Sequence, residues 1–140
     1  MKKQYGTAHN LNSRILLHQV YSTNTLGWDN WVFQNYALTP NQRILELGCG
    51  TGDIWKANAG KIQDGIHITL SDFSEGMLDR ARANTGELDF VEYSVIDAQE
   101  IPYASDTFDI VIANHMLYHV LDIDKALCEI DRVVKPDGTL

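Results

Sequence analysis

Apolar and polar positions fall into blocks whose spacing changes several times along the chain. Residues 9–21 are helix-like, with Asn12 or Ser13 as candidate N-caps. Turn formers Ser22-Thr23-Asn24-Thr25 break that pattern, after which Trp28, Trp31, Val32 and Tyr36 recur at three- and four-residue spacing. That spacing predicts a second amphipathic helix whose aromatics serve packing. The first helix could instead act as a lid over a ligand cleft, with Tyr21 near the ligand. Thr39-Pro40-Asn41 then makes a turn. From residue 44 the pattern alternates between two periods. Strands are expected at 44–47, 66–70, 88–91 and 108–113, the last apolar enough for a buried parallel strand. Helices are expected at 54–62, where Gly60 weakens the segment, from Ser74 onward with that serine as N-cap, and at 123–134. Pro136-Asp137-Gly138 stops the last of these. Strand–helix alternation implies an α/β fold with a doubly wound, mostly parallel sheet preceded by N-terminal helices. The division is residues 1–38 as a helical cap and 39–140 as the sheet domain.

Composition narrows the function. A formal net charge of −8 disfavours nonspecific nucleic-acid binding, which needs basic surface. No apolar run is long enough to span a bilayer, so no membrane partner is expected. The start, Met1-Lys2-Lys3-Gln4-Tyr5, is basic but lacks an apolar stretch after it, so it is not read as a signal peptide. Cys49 and Cys128 suggest neither a disulfide framework nor a metal cluster. A reduced, cytoplasmic setting is expected.

The chemistry concentrates where the first strand ends, in Arg43-Ile44-Leu45-Glu46-Leu47-Gly48-Cys49-Gly50-Thr51-Gly52-Asp53. Glycines at alternate positions let the backbone turn sharply and lie against a ligand. A helix opening just after Gly52 would border the same cleft with its free N–H groups. A dinucleotide fingerprint, G-x-G-x-x-G, needs glycine where Asp53 stands, and no P-loop sequence occurs. Asp72 follows the second strand about 20 residues on, where a nucleotide-binding sheet places an acid for the ribose hydroxyls. Phe73 and Met77 either pack against a base or belong to the core. Asp97-Ala98 follows the third strand, and Asn114-His115-Met116-Leu117-Tyr118-His119 follows the fourth. His115 and His119, spaced i, i+4, could offer two metal ligands on a helix, but the zinc-protease pattern needs glutamate where Met116 stands. No metal is assigned. Either histidine could orient an acceptor or take its proton, or simply belong to a turn.

Glu46-x-Gly48-x-Gly50-x-Gly52 resembles the first motif of the class I, Rossmann-like S-adenosylmethionine-dependent methyltransferases, in which a strand-end acid precedes the glycine loop. The resemblance extends through Asp72, Asp97-Ala98, residues 108–113 and the run ending Lys135-Pro136-Asp137-Gly138-Thr139-Leu140. It is nearest to small-molecule methyltransferases, including those of quinone biosynthesis. It implies S-adenosyl-L-methionine as cofactor, held by Glu46, Gly48, Cys49, Gly50, Gly52, Asp72, Phe73, Met77, Asp97, Ala98 and Asn114. In it Asp97 resembles the acid that receives the adenine amino group. The Asn/Asp-Pro-Pro-Tyr signature of nitrogen-directed enzymes is absent after strand four, since His115 follows Asn114. The family sheet has seven strands, so the chain reads as truncated at the start of strand five. That leaves strand four as an open edge for self-association, and it predicts cofactor binding with poor turnover. The alternatives are a non-catalytic cofactor-binding or interaction module and a nicotinamide-dependent oxidoreductase, the latter opposed by Asp53 and Asp97.

Overall fold

The computed structural model describes residues 8–140, with side chains from Asn12 onward. Met1-Lys2-Lys3-Gln4-Tyr5, read above as no leader, lies outside the described residues. The chain forms two compact units, divided after Tyr36.

The first unit holds helices α1 (Ala8–Tyr21) and α2 (Trp28–Asn35). Because α1 opens at Ala8, Asn12 and Ser13 lie inside the helix rather than capping it. The turn after α1 is built from side chains. Ser22 Oγ accepts from the Asn24 N–H at 3.1 Å, and Asn24 Oδ1 accepts from the Leu26 N–H at 3.0 Å. Trp28 and Trp31, one helical turn apart on α2, pack on each other with ring centroids 5.7 Å apart.

The second unit is a five-stranded parallel sheet in the order β3-β2-β1-β4-β5. Its strands are β1 (Arg43–Leu47), β2 (His67–Asp72), β3 (Val91–Val95), β4 (Phe108–Ile112) and β5 (Val134–Thr139). Its helices are α3 (Asp53–Asn58), α4 (Glu75–Thr85) and α5 (Ile123–Val133). The central strands β1, β2 and β4 are almost wholly buried, as apolar strands covered on both faces should be. On one side Leu45, Leu47 and Val111 meet Ile96, Ile101 and the α5 residues Ala126, Ile130 and Val133. The α5 face is clasped from outside. Arg132 donates to the Ile101 and Tyr103 carbonyls, while Glu129 accepts from the Ile101 N–H.

Three expectations are corrected. The third strand lies at 91–95, not 88–91. A turn closes from the Val91 N–H to the Leu88 carbonyl, and the strand then runs through polar Glu92 and Ser94 because it is a half-exposed edge. The helix expected over 54–62 breaks after Asn58 into a single 3₁₀ turn, Ala59–Lys61, that contains Gly60. The third correction concerns β4. It is not an open edge, because β5 pairs with it in parallel at Phe108↔Val134 and Ile110↔Thr139 across a bulge. Pro136 was read as the end of a helix. On an edge strand its missing N–H costs no ladder bond, and the bulge absorbs the extra residues. Self-association through an exposed β4 loses its premise.

Candidate active site

Strand order reverses between β1 and β4, since β1 leads on to β2 on one side while β4 lies on the other. In an open α/β sheet that reversal leaves a crevice at the carboxyl ends of the strands. Glu46, Asp72, Asp97 and Asn114 all stand at or just beyond such ends, those of β1, β2, β3 and β4 in turn.

The glycine loop is rigidly made. Gly48 has φ +69°, and a Cβ there would stand 2.7 Å from Met116 Cβ, so the loop and the segment after β4 touch where only glycine fits. The Cys49 N–H donates to the Ser71 carbonyl at 2.8 Å, extending the β1–β2 pairing into the loop. The Cys49 thiol is held protonated, chiefly by burial and further by the carboxylates of Glu46 and Asp72. Asp53 explains the departure from a dinucleotide fingerprint. Its Oδ2 accepts from Thr51 Oγ1 at 2.6 Å and its Oδ1 from Asn84 Nδ2 at 2.7 Å, and Asn84 also donates to the Thr51 carbonyl. The carboxylate therefore ties the loop to α4.

Glu46 is buried, and Trp55 Nε1–H, fully buried on α3, donates to its Oε2. Burial pushes the Glu46 carboxyl up to about 7, with the Trp55 bond opposing and the neighbouring Asp72 charge adding to the rise. Asp72 is half-buried and links the glycine loop to the N-cap of α4. Its Oδ2 accepts from the Gly50 N–H at 3.2 Å and its Oδ1 from the Ser74 N–H at 2.9 Å. Burial raises its carboxyl as well, while these backbone bonds restrain the rise. Phe73 is 68% exposed, whereas Met77 is buried beneath the loop, its Cε 3.8 Å from where a Gly50 Cβ would be. The two candidates for packing on a base are thereby separated: Phe73 faces outward and Met77 is core.

Asp97 Oδ1 accepts from the Gln99 N–H at 2.9 Å, and the Gln99 side-chain amide donates to both carboxylate oxygens, at 3.1 and 3.3 Å. Ala98 is buried beside it. Beyond β4 the chain turns at Asn114 and at His115, which has φ +51°, then makes one 3₁₀ turn, Leu117–His119. His115 and His119 thus share no α-helical face, which removes the geometry on which paired ligation depended. The His119 ring packs against Tyr118 at a 52° tilt, with centroids 4.2 Å apart. Among the described residues no three His, Cys, Asp or Glu side chains converge on a metal position. Likewise no helix among them is long and apolar enough to cross a membrane.

Trp55, Asn84 and Gln99 escaped the sequence reading. Each acts through a residue that was read, and only Gln99 left a trace, as a side-chain amide two positions after a turn-forming aspartate.

A family model described as a methyltransferase domain matches residues 45–140. The ubiquinone/menaquinone biosynthesis C-methyltransferase UbiE of Vibrio parahaemolyticus is 37% identical over 117 residues, covering 81% of this chain and 45% of the relative. An S-adenosylmethionine-dependent methyltransferase structure from Mesorhizobium loti matches at 27% identity and TM-score 0.65, covering 80% of this chain and 51% of that one. A phosphoethanolamine N-methyltransferase of Haemonchus contortus, solved with S-adenosylhomocysteine, matches at 25% identity and TM-score 0.72. That match covers 96% of this chain and 33% of the other. The chain spans less than half the length of the curated relative it matches.

Proposed function

This chain belongs to the methyltransferase domain family, and on that premise we propose that it binds S-adenosyl-L-methionine and serves methyl transfer to a small-molecule acceptor. The observation that carries the proposal is the Asp72 carboxylate, fixed beside the glycine loop by the Gly50 and Ser74 backbone N–H groups. A carboxylate so held keeps lone pairs for both ribose hydroxyls.

The donor set fits the cofactor. Asp72 and Asp97 stand at strand ends facing one crevice, which suits a ligand carrying ammonium and sulfonium charge. Asp72 takes the ribose, Asp97 with the Ala98 backbone takes the adenine edge, and exposed Phe73 covers the base. Gly48, Gly50 and Gly52, all at positive φ, give the loop the tight path that brings its backbone to the crevice, with Cys49 contributing only backbone. Glu46 sits buried behind the loop, fastening α3 to β1 through Trp55. The bound cofactor supplies an electrophilic methyl group on a sulfonium centre. The chain's own contribution to rate is proximity and orientation, which can supply up to roughly 7–11 kcal/mol.

The acceptor side falls to the segment after β4, where Asn114, His115 and His119 are the polar candidates. Tyr118 and Leu121 are exposed there, Leu121 almost fully, giving that side an apolar lip. This supports a largely apolar acceptor, in keeping with the quinone chemistry named for the Vibrio relative.

Isothermal titration of the chain with S-adenosylmethionine, S-adenosylhomocysteine and NAD tests the reading. Binding of the first two and none of NAD is expected. Micromolar NAD binding without either sulfur ligand would overturn it in favour of an oxidoreductase.

A further inference from the structure

We propose that Gln99 is a positioning residue that sets the preference of this site for a 6-amino purine, by presenting Asp97 as a pure acceptor and tying it to the start of α5. The inference rests on the donor-binding reading above.

The Gln99 side chain bridges two elements. Its amide N–H₂ grips both oxygens of Asp97, and its Oε1 accepts from the Asp122 N–H at 3.1 Å. That pattern fixes the amide orientation. The flipped rotamer would set a carbonyl oxygen against a carboxylate and an N–H₂ against an N–H, two repulsive contacts in place of three bonds. Asp97 is further held by the Gln99 backbone N–H, and the Glu100 N–H closes on the Asp97 carbonyl at 2.9 Å, so the carboxylate sits in a locked turn. Asp122 is the N-cap of α5, directly after the segment that follows β4. One side chain thus joins the β3 and β4 sides of the crevice.

The consequence is chemical. A carboxylate clamped by two donors from one side has its remaining lone pairs aimed elsewhere, toward a donor such as an exocyclic amine. A 6-oxo purine would oppose an acceptor to those lone pairs and be rejected. Sites built to hydrogen-bond a specific group discriminate strongly, because a mismatch leaves buried polar groups unpaired. If Gln99 is lost, Asp97 is free to rotate and the rejection weakens.

The test compares S-adenosylhomocysteine with S-inosylhomocysteine, which carries oxygen in place of the 6-amino group. The unaltered chain should prefer the first by about ten- to a hundredfold, one charge-assisted hydrogen bond. Gln99→Met, similar in length, should cut that preference by about fivefold or more. Asp97→Ala should abolish it, and adding Gln99→Met to Asp97→Ala should change it no further. A merely structural role would weaken both ligands equally and leave the ratio intact, which overturns the inference. Should Gln99→Met fail to fold, NMR on the unaltered chain decides. S-adenosylhomocysteine should shift the Gln99 side-chain amide signals more than the inosyl analogue, and equal shifts would refute the idea. Equal binding of the two by the unaltered chain overturns the inference itself, whereas no binding of either ligand defeats the donor reading on which it stands.

Discussion

Two acids, Glu46 buried and Asp72 half-buried, set the local electrostatics of the crevice, and they answer to different tests. Glu46 has its carboxyl pushed up to about 7, so between its unfolded value near 4.5 and 7 the native state holds a proton the unfolded chain has released. Its contribution is therefore full below the unfolded value and is lost as pH rises through about 7. The scale is roughly 3 kcal/mol for a shift of this size. Glu46→Gln keeps an acceptor for the Trp55 N–H and cannot ionise. Urea unfolding at pH 5 and pH 8 should show the parent losing stability with pH and the variant losing much less; equal slopes would remove Glu46 as the source. Asp72 is tested by binding. Asp72→Ala should weaken S-adenosylhomocysteine by roughly 1.5–3 kcal/mol, measured by calorimetry, since a charge-assisted bond is at stake. Asp72 was legible in the sequence because a strand end followed by a helix N-cap has a recognisable register. The partners of Glu46 and Asp53 were not. Which side chain of α3 or α4 reaches back to the loop depends on how those helices lie on the sheet, and spacing along the chain carries no such information.

Elements with strong local signals fell where the residues placed them. Ser74 caps α4, accepting from the Met77 N–H at 3.4 Å, and the apolar run over 108–112 became β4. The elements that moved did so because tertiary pairing outweighed local pattern. β3 took a polar stretch because it is a half-exposed edge, and β5 accepted a proline because an edge strand leaves one side of its backbone unpaired. The histidine spacing after β4 left a helix or a turn open, and the contact with Gly48 and the turn at His115 decide for the turn. The cap of α5 offers a quantitative check. Asp122 accepts from the Lys125 N–H at 2.9 Å, a shorter bond than that of Ser74. Asp122→Ala should cost about 1 kcal/mol in thermal or denaturant unfolding, within the range for N-cap loss. Ser74→Ala should cost less. The reverse order would show that cap geometry is not what holds α5 in place.

Across the whole second unit, the sheet has β3 and β5 as its edges, and the crevice lies at the opposite end of the strands from the place where β5 first meets β4. That arrangement separates fold stability from ligand binding in a way one glycine can test. A Cβ at Gly138 would stand 2.6 Å from Val134 Cγ1, 2.9 Å from the Asp109 carbonyl oxygen and 2.9 Å from that of Lys135. Two of these atoms are backbone, so the crowding cannot be relieved by a rotamer change. The bulge that lets β5 carry six residues beside so short a stretch of β4 depends on that missing side chain. Gly138→Ala should therefore destabilise the chain by about 1–3 kcal/mol, the usual scale for overpacking. It should also speed amide exchange in β4 and β5 relative to β1 and β2. Affinity for S-adenosylhomocysteine should stay within about twofold, because Asp72, Asp97 and the glycine loop lie on strands and turns that do not contact Gly138. Light scattering belongs in the same experiment. With β5 seated, β4 is paired on both sides and presents no edge to a second copy. If β5 is displaced in the variant, β4 becomes the exposed apolar strand that recruits a partner, and association should appear only then. Unchanged stability and exchange in Gly138→Ala would mean that β5 does not close the sheet in solution.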